Sequence, residues 1–73
     1  MDQQDMYHKA NEIATEINGE YTHMEKAPID KHIWFHYKFD DNRKINEFMY
    51  RLHINHIGQL LRNTGLTSCA VLI

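Results

Sequence analysis

The chain lacks the residues that covalently stabilise very small folds. Among its 73 residues it has one cysteine, Cys69, together with one proline and three glycines. A single thiol excludes an internal disulfide, and it fits a reducing compartment better than a secreted scaffold. The longest apolar run, residues 69–73, is far too short to cross a bilayer. We therefore expect a cytoplasmic protein that does not associate with a membrane.

The short length also limits the hydrophobic core. We expect a single domain over residues 1–73, and a chain of this size buries only about 60% of its unfolded surface. Such a core supplies roughly 3–5 kcal/mol unless a disulfide, a metal or a partner chain adds to it. Because no internal disulfide is possible, we expect a partner chain to add to the stability of the core. A twofold homodimer is the usual form of self-association.

Charge is unevenly distributed, although the net charge is only −2. Residues 1–30 hold seven acidic and two basic side chains, whereas residues 31–73 hold three acidic and six basic ones. Two interpretations stay open: a solvated acidic helix packed on a mildly basic half, or an acidic face that docks on a basic target. In the second, Asp5, Glu12 and Glu16 would steer the protein towards its partner.

Hydrophobic spacing predicts an α-β-β-α-β order. Apolar residues repeat with helical period from Met6 to Ile17, and Asn18-Gly19 ends that helix. The predicted elements are a helix over residues 3–18, strands over 20–27 and 32–39, a helix over 43–63, and a terminal strand over 66–73. We expect an α+β two-layer sandwich, with both helices on one face of a three-stranded sheet.

The strand over 32–39 alternates clearly. Residues from Ile33 to Phe39 at odd positions point to one face, which leaves Trp34 on the other face between His32 and His36. Trp is the residue type most enriched at binding hot spots, so Trp34 is the leading partner contact. The alternative is that a helix covers this face and makes Trp34 part of the core.

The second predicted helix carries apolar residues on two sides. Besides a core stripe that begins at Ile45, a second stripe lies nearly opposite and consists of Tyr50, Ile54, Ile57 and Leu61. Either the helix bends near residues 53–58, so that both stripes reach one core, or the second stripe is a dimer or partner interface.

The sequence lacks the patterns that catalysis or a cofactor would need. His53 and His56 are three residues apart, close enough on a helix to reach one ion together with Cys69, but no CxxC, HExxH or HxH spacing accompanies them. Cys69 lies in an apolar segment, where a thiol is usually buried and inert. The isolated glycines form no phosphate-binding loop. We predict no enzymatic activity, no cofactor and no metal.

Nucleic-acid binding is the alternative function. Arg43, Lys44, Arg51 and Arg62 lie on the predicted second helix and would form a basic stripe. The net charge is negative, however, and the chain contains no helix-turn-helix, zinc-finger or RNA-binding signature.

In type, the chain resembles small phage-encoded host-takeover proteins, which are short, compact, rich in Asn, Asp, Lys, Ile, Tyr and His, and without a catalytic constellation. Gln59, Leu60 and Leu61 are similar to the start of the peptide motif that docks in the bacterial DNA sliding clamp, although Arg62 and Asn63 follow where that motif has an apolar residue and an aromatic one. The resemblance implies a contact at Gln59 and Leu60.

What this resemblance implies is a function rather than a catalytic site. Proteins of that type bind and block a host enzyme or replication factor, so we expect a small protein that binds and inhibits or modulates a macromolecular target. If the sliding clamp were the target, the acidic half would face its positively charged DNA channel, as a DNA mimic does.

Overall fold

The structure, a computed structural model, describes residues 2–29, 32–57 and 60–73. Its elements are α1 (Gln3–Glu16), β1 (Glu20–Lys26), β2 (Ile33–Lys38), α2 (Arg43–Ile54), β3 (Leu60–Asn63) and β4 (Ser68–Leu72). The strands form one antiparallel sheet in the order β1-β2-β4-β3. The predicted α+β class is confirmed. The predicted three-stranded sheet is wrong, because the order is α-β-β-α-β-β and the sheet has four strands.

The missing strand follows from where α2 ends. The predicted helix over 43–63 stops at Ile54, because His56 adopts a left-handed backbone with φ of 56°. The Ile57 amide then donates to the Leu52 carbonyl at 2.9 Å, and the His56 amide donates to the His53 carbonyl at 3.0 Å. This pair of bonds is a Schellman motif, which terminates a helix and turns the chain away from its axis.

Helix α1 ends in the same way. Asn18 takes the left-handed position with φ of 63°, and Gly19 donates its amide to the Ala14 carbonyl at 2.7 Å. The glycine is therefore needed for space rather than for its φ, since a Cβ at Gly19 would run into the ring of Phe39. At the other end, the Asp2 side chain accepts the Asp5 amide at 2.8 Å and caps the helix.

The architecture consists of the same unit used twice. Each half contributes one helix followed by an antiparallel hairpin, and the second strands of the two hairpins pair antiparallel at the centre of the sheet. This arrangement has an approximate twofold axis between β2 and β4, which relates β1 to β3. The sequence shows no matching repeat, so the likeness of the two halves is one of topology alone.

Both helices pack on one face of the sheet, here called the inner face. Phe48 of α2 is fully buried, with its ring centroid 5.0 Å from that of Tyr37 and 5.3 Å from that of Phe39. The buried cluster also takes residues from α1, β2 and β4, including Ala10, Ile13, Ala14, Phe35, Cys69 and Val71. In the described residues, neither helix is long and apolar enough to cross a bilayer.

Candidate protein-binding surface

The opposite side of the sheet carries two rows of side chains, here called the outer face. Strand pairing places Glu25, Trp34, Leu72 and Leu60 in one row across all four strands. The neighbouring row consists of His23, His36, Ala70 and Arg62. Since α1 and α2 both pack on the inner face, no helix among the described residues covers these rows.

The first row has an apolar centre. Trp34 and Leu72 are partly buried, whereas Leu60 at the edge is 58% exposed. Ala70 is fully buried although it lies outside the main core cluster, because larger side chains flank it in its row. The face therefore presents a large aromatic and two leucines around a small central residue.

Arg62 bridges the whole width of the outer face. Its guanidinium carbon lies 4.4 Å from the centroid of the Trp34 ring, and its Nη2 donates to Glu25 Oε1 at 3.2 Å. The side chain thus runs from β3 over β4 and β2 to β1. A cation–π contact at an exposed site contributes about 0.5–1 kcal/mol, and a half-exposed ion pair at most about 1 kcal/mol. A partner can displace this cover at small cost.

Two histidines stack on the outer face, and one of them contacts the Glu25 carboxylate. The rings of His23 and His36 stack with centroids 4.1 Å apart and an interplanar angle of 14°. His36 Nε2 lies 3.0 Å from Glu25 Oε1, so Glu25 contacts both His36 and Arg62. A register shift between Tyr21 and His23 brings the two rings together. Among the described residues, no three His, Cys, Asp or Glu side chains converge as metal ligands.

Two of the residues predicted as partner contacts, Trp34 and Leu60, lie in the same row of this surface, on either side of Leu72. Leu72 and Glu25 were missed, and Arg62 was predicted only as part of a basic stripe on the second helix. Leu72 was hidden in an apolar terminal segment whose alternation is weak, and the Glu25–Arg62 bridge joins residues 37 positions apart.

The clamp-like segment does not form one continuous epitope. Gln59 lies outside the described residues. Leu60 and Leu61 point to opposite faces of β3, and Leu61 packs against the core cluster. The two leucines therefore cannot enter one peptide-binding groove together while the sheet is intact.

The second apolar stripe is also divided by the end of α2. Tyr50 and Ile54 are 64% and 53% exposed on the helix. Ile57, past the Schellman motif, is buried in the core, and Leu61 is partly buried on β3. The four residues predicted as one interface therefore do not share a surface, because the stripe was drawn on a helix that stops before its last two members.

The acidic residues of α1 are partly neutralised. Glu16 accepts from Arg51 of α2 at 3.1 Å, which ties the two helices together, and Glu12 lies 3.9 Å from Lys9. Asp5 remains exposed in the first helical turn. The acidic surface of α1 is therefore weaker than the count of carboxylates in residues 1–30 indicates.

The basic residues of the alternative function are paired as well. Arg51 also contacts Glu47 at 3.0 Å, and Arg62 belongs to β3 rather than to α2. Near the start of α2, Arg43 pairs with Asp41 at 3.0 Å and Lys44 with Asp40 at 2.8 Å. These hydrogen bonds hold the pKa of both aspartates below the usual value.

Comparison with protein-family models, with curated proteins and with solved structures found no match for this chain. Its function therefore has to be argued from the outer face and from the chemistry of its side chains.

The single thiol lies on the inner face, away from this surface. Cys69 is fully buried, and burial raises the pKa of its thiol to about 12. Burial likewise raises the pKa of Tyr37, whose hydroxyl donates to Asn11 Oδ1 at 2.6 Å. A thiol that stays protonated at neutral pH is a poor nucleophile.

These shifts predict a loss of stability in alkali. Above about pH 9 the unfolded chain releases the Cys69 proton while the folded chain retains it, so the free energy of unfolding falls as pH rises towards 12. Urea denaturation at pH 8, 9 and 10 measures this slope. In Cys69→Ala the slope should be shallower, with the remainder due to Tyr37 and Tyr21, whose pKa values are also raised by burial. Equal slopes in both proteins would show that the thiol does not contribute.

Proposed function

We propose that this chain is a small non-enzymatic protein that binds another protein through its outer face and inhibits or modulates it. The observation that carries the proposal is the row of Trp34, Leu72 and Leu60, which pairs in register across three neighbouring strands on the side of the sheet that α1 and α2 leave open. An apolar centre with a polar rim is the usual anatomy of a protein interface. Trp and Arg are also the residue types enriched at hot spots, and here Arg62 lies over Trp34.

A binding role also agrees with the chemistry of the interior. The one thiol is buried and held protonated, which makes it unsuited to nucleophilic catalysis. On the outer face, His36 and Arg62 both contact the carboxylate of Glu25, so these three groups form a closed ion-pair cluster.

The target class follows from the resemblance to phage-encoded host-takeover proteins. It is a host protein such as a DNA replication factor, and the bacterial sliding clamp is the first to test. Because Leu61 packs inward, the contact would come from the folded outer face rather than from residues 59–61 as an extended peptide. Asp5, near the start of α1, and the other acids of that helix would assist the approach to a basic surface.

Nucleic-acid binding has less support. Arg43, Lys44, Arg51 and Arg62 each lie within 3.2 Å of a carboxylate oxygen. A nucleic-acid phosphate would have to displace those carboxylates, so each new phosphate contact would replace an existing ion pair and add little to the binding free energy. We therefore argue the protein-binding function.

Trp34→Ala is expected to weaken binding to a purified sliding clamp by about 30-fold or more, the equivalent of a 2 kcal/mol hot spot. Calorimetry measures affinity, and a clamp-dependent DNA synthesis assay measures inhibition. Tyr50→Ala is the matched control, since it removes an aromatic that is 64% exposed on α2. Trp34→Phe should recover part of the affinity.

One result would contradict the outer face as the contact surface, and another would contradict the sliding clamp as the target. If Tyr50→Ala, and not Trp34→Ala, abolishes binding, the contact surface is α2. If the wild-type protein neither binds the clamp nor slows synthesis, the clamp is not the target, and the same pair of variants is then applied to other purified replication proteins. Thermal melting of each variant confirms that it is folded.

A further inference from the structure

We propose that the outer face is covered, when no target is bound, by the outer face of a second copy of this chain. This inference rests on the proposed function, since it takes the outer face to be a binding surface. The two sheets would pack face to face, with the twofold axis lying between them and running parallel to the strands. Self-association and target binding would then compete for Trp34.

The arrangement of side-chain sizes fits this axis. A twofold axis parallel to the strands, above the boundary between β2 and β4, places β2 of one copy over β4 of the other. Trp34 then faces Leu72 of the second copy, and His36 faces Ala70, because these pairs occupy the same rows. In both rows the larger side chain of β2 meets a smaller one of β4, which is how two packed layers interdigitate.

Charge selects the same axis. Glu25 lies on β1 and Arg62 on β3, at opposite edges of the face. An axis parallel to the strands places each β1 over the other copy's β3, so that Glu25 of each copy approaches Arg62 of the other. An axis across the strands would instead place both carboxylates at one edge and both guanidinium groups at the other. Like charges would then be grouped together, which is unfavourable.

The ion pair between Arg62 and Glu25 within one chain shows that Arg62 is long enough to pair with Glu25 of a second copy instead. Arg62 already extends far enough to reach Glu25 across two intervening strands, and it covers Trp34 as it does so. In the dimer each Arg62 would trade its own Glu25 for that of the second copy. The number of ion pairs would be unchanged, while the row of Trp34, Leu72 and Leu60 would leave water.

The size of the face sets the strength of the dimer. Four strands about 4.8 Å apart, with about 3.4 Å per residue, give a contact on the order of 20 by 15 Å. This area is smaller than the roughly 800 Å² per partner of a standard stable interface. We therefore expect a weak dimer that forms as concentration rises and that a target can displace.

The test is a charge exchange between two full-length variants, measured by sedimentation equilibrium over a range of concentrations. Glu25→Arg and Arg62→Glu should each weaken self-association at least tenfold, because each sets like charges opposite one another between copies. A 1:1 mixture of the two variants should associate within about threefold of the wild type. Mixing cannot restore a bridge within one chain, so recovery requires pairing between copies.

Three outcomes would overturn the dimer: a wild-type protein that stays monomeric at millimolar concentration, a dimer unaffected by either variant, or a mixture that remains monomeric. Circular dichroism shows whether each variant is folded, and the double variant E25R/R62E, which restores both kinds of pair, should associate like the wild type. A monomer that still binds its target through Trp34 would leave the proposed function standing, so the two proposals can fail separately.

Discussion

Replacing Ile57 with aspartate is expected to unfold the protein, whereas the same replacement at Ile54 is expected to leave it folded. Ile57 is 3% exposed and belongs to the core, while Ile54 is 53% exposed at the end of α2. A carboxylate at position 57 would be buried without a partner, which costs several kcal/mol. That loss is comparable with the roughly 3–5 kcal/mol that a core of this size supplies.

Circular dichroism and urea denaturation of the two variants provide the measurement. They differ from each other only in which of two isoleucines, three positions apart, becomes charged. A folded Ile57→Asp protein that had lost a partner would contradict the buried position of Ile57. It would restore the interpretation in which Tyr50, Ile54, Ile57 and Leu61 form one contact surface.

Local signals were sufficient for most of the fold. The helical period from Met6 to Ile17 and the strict alternation of β2 each depend on residues close together in sequence, and the structure confirms both elements. The alternation places Trp34 on the side of β2 opposite Phe35 and Tyr37, but it leaves open which side the helices cover. The buried cluster of Phe35 and Tyr37 with residues of α1 and α2 decides that question.

The prediction for residues 55–63 was wrong because the same spacing of apolar residues fits both a longer helix and a turn followed by a strand. Ile57, Leu60 and Leu61 are spaced as on a helical face, so residues 55–63 read as a continuation of α2. In the structure His56 instead adopts the left-handed conformation that ends the helix, a position that is usually occupied by Gly or Asn. The same three apolar residues then fall on a turn and on the two faces of β3. Apolar periodicity therefore predicted a helix that was too long, because the left-handed backbone of His56 that ends α2 leaves no mark in the pattern of apolar residues.

The candidate surface was predictable only in part. Residue type indicated Trp34, and the clamp-like segment indicated Leu60, but their joint position depends on the pairing of β2 with β4 and of β4 with β3. The bridge from Arg62 to Glu25 connects the two edge strands and has no local signature. The order and register of the strands decide that Arg62 and Glu25 lie within reach of each other, and both are properties of the whole sheet.

Phe48→Ala is expected to remove most of the stability of the protein. The Phe48 ring is fully buried between α2 and the sheet, against Tyr37 and Phe39. Truncating a buried Phe costs about 3–5 kcal/mol through lost burial and the cavity left behind. Tyr50→Ala, two positions later in the same helix, should change stability by no more than about 0.5 kcal/mol. Chemical denaturation of both variants and the wild type compares the three.

The same experiment, repeated at several protein concentrations, separates the core from self-association. A dimer that forms only from folded chains raises the apparent stability as concentration increases, whereas the contribution of Phe48 to the core does not depend on concentration. We therefore expect Phe48→Ala to be destabilised at every concentration, and wild-type stability to rise with concentration. Equal losses in Phe48→Ala and Tyr50→Ala would contradict the inner-face core. A wild-type midpoint independent of concentration would count against the dimer and leave that core in place.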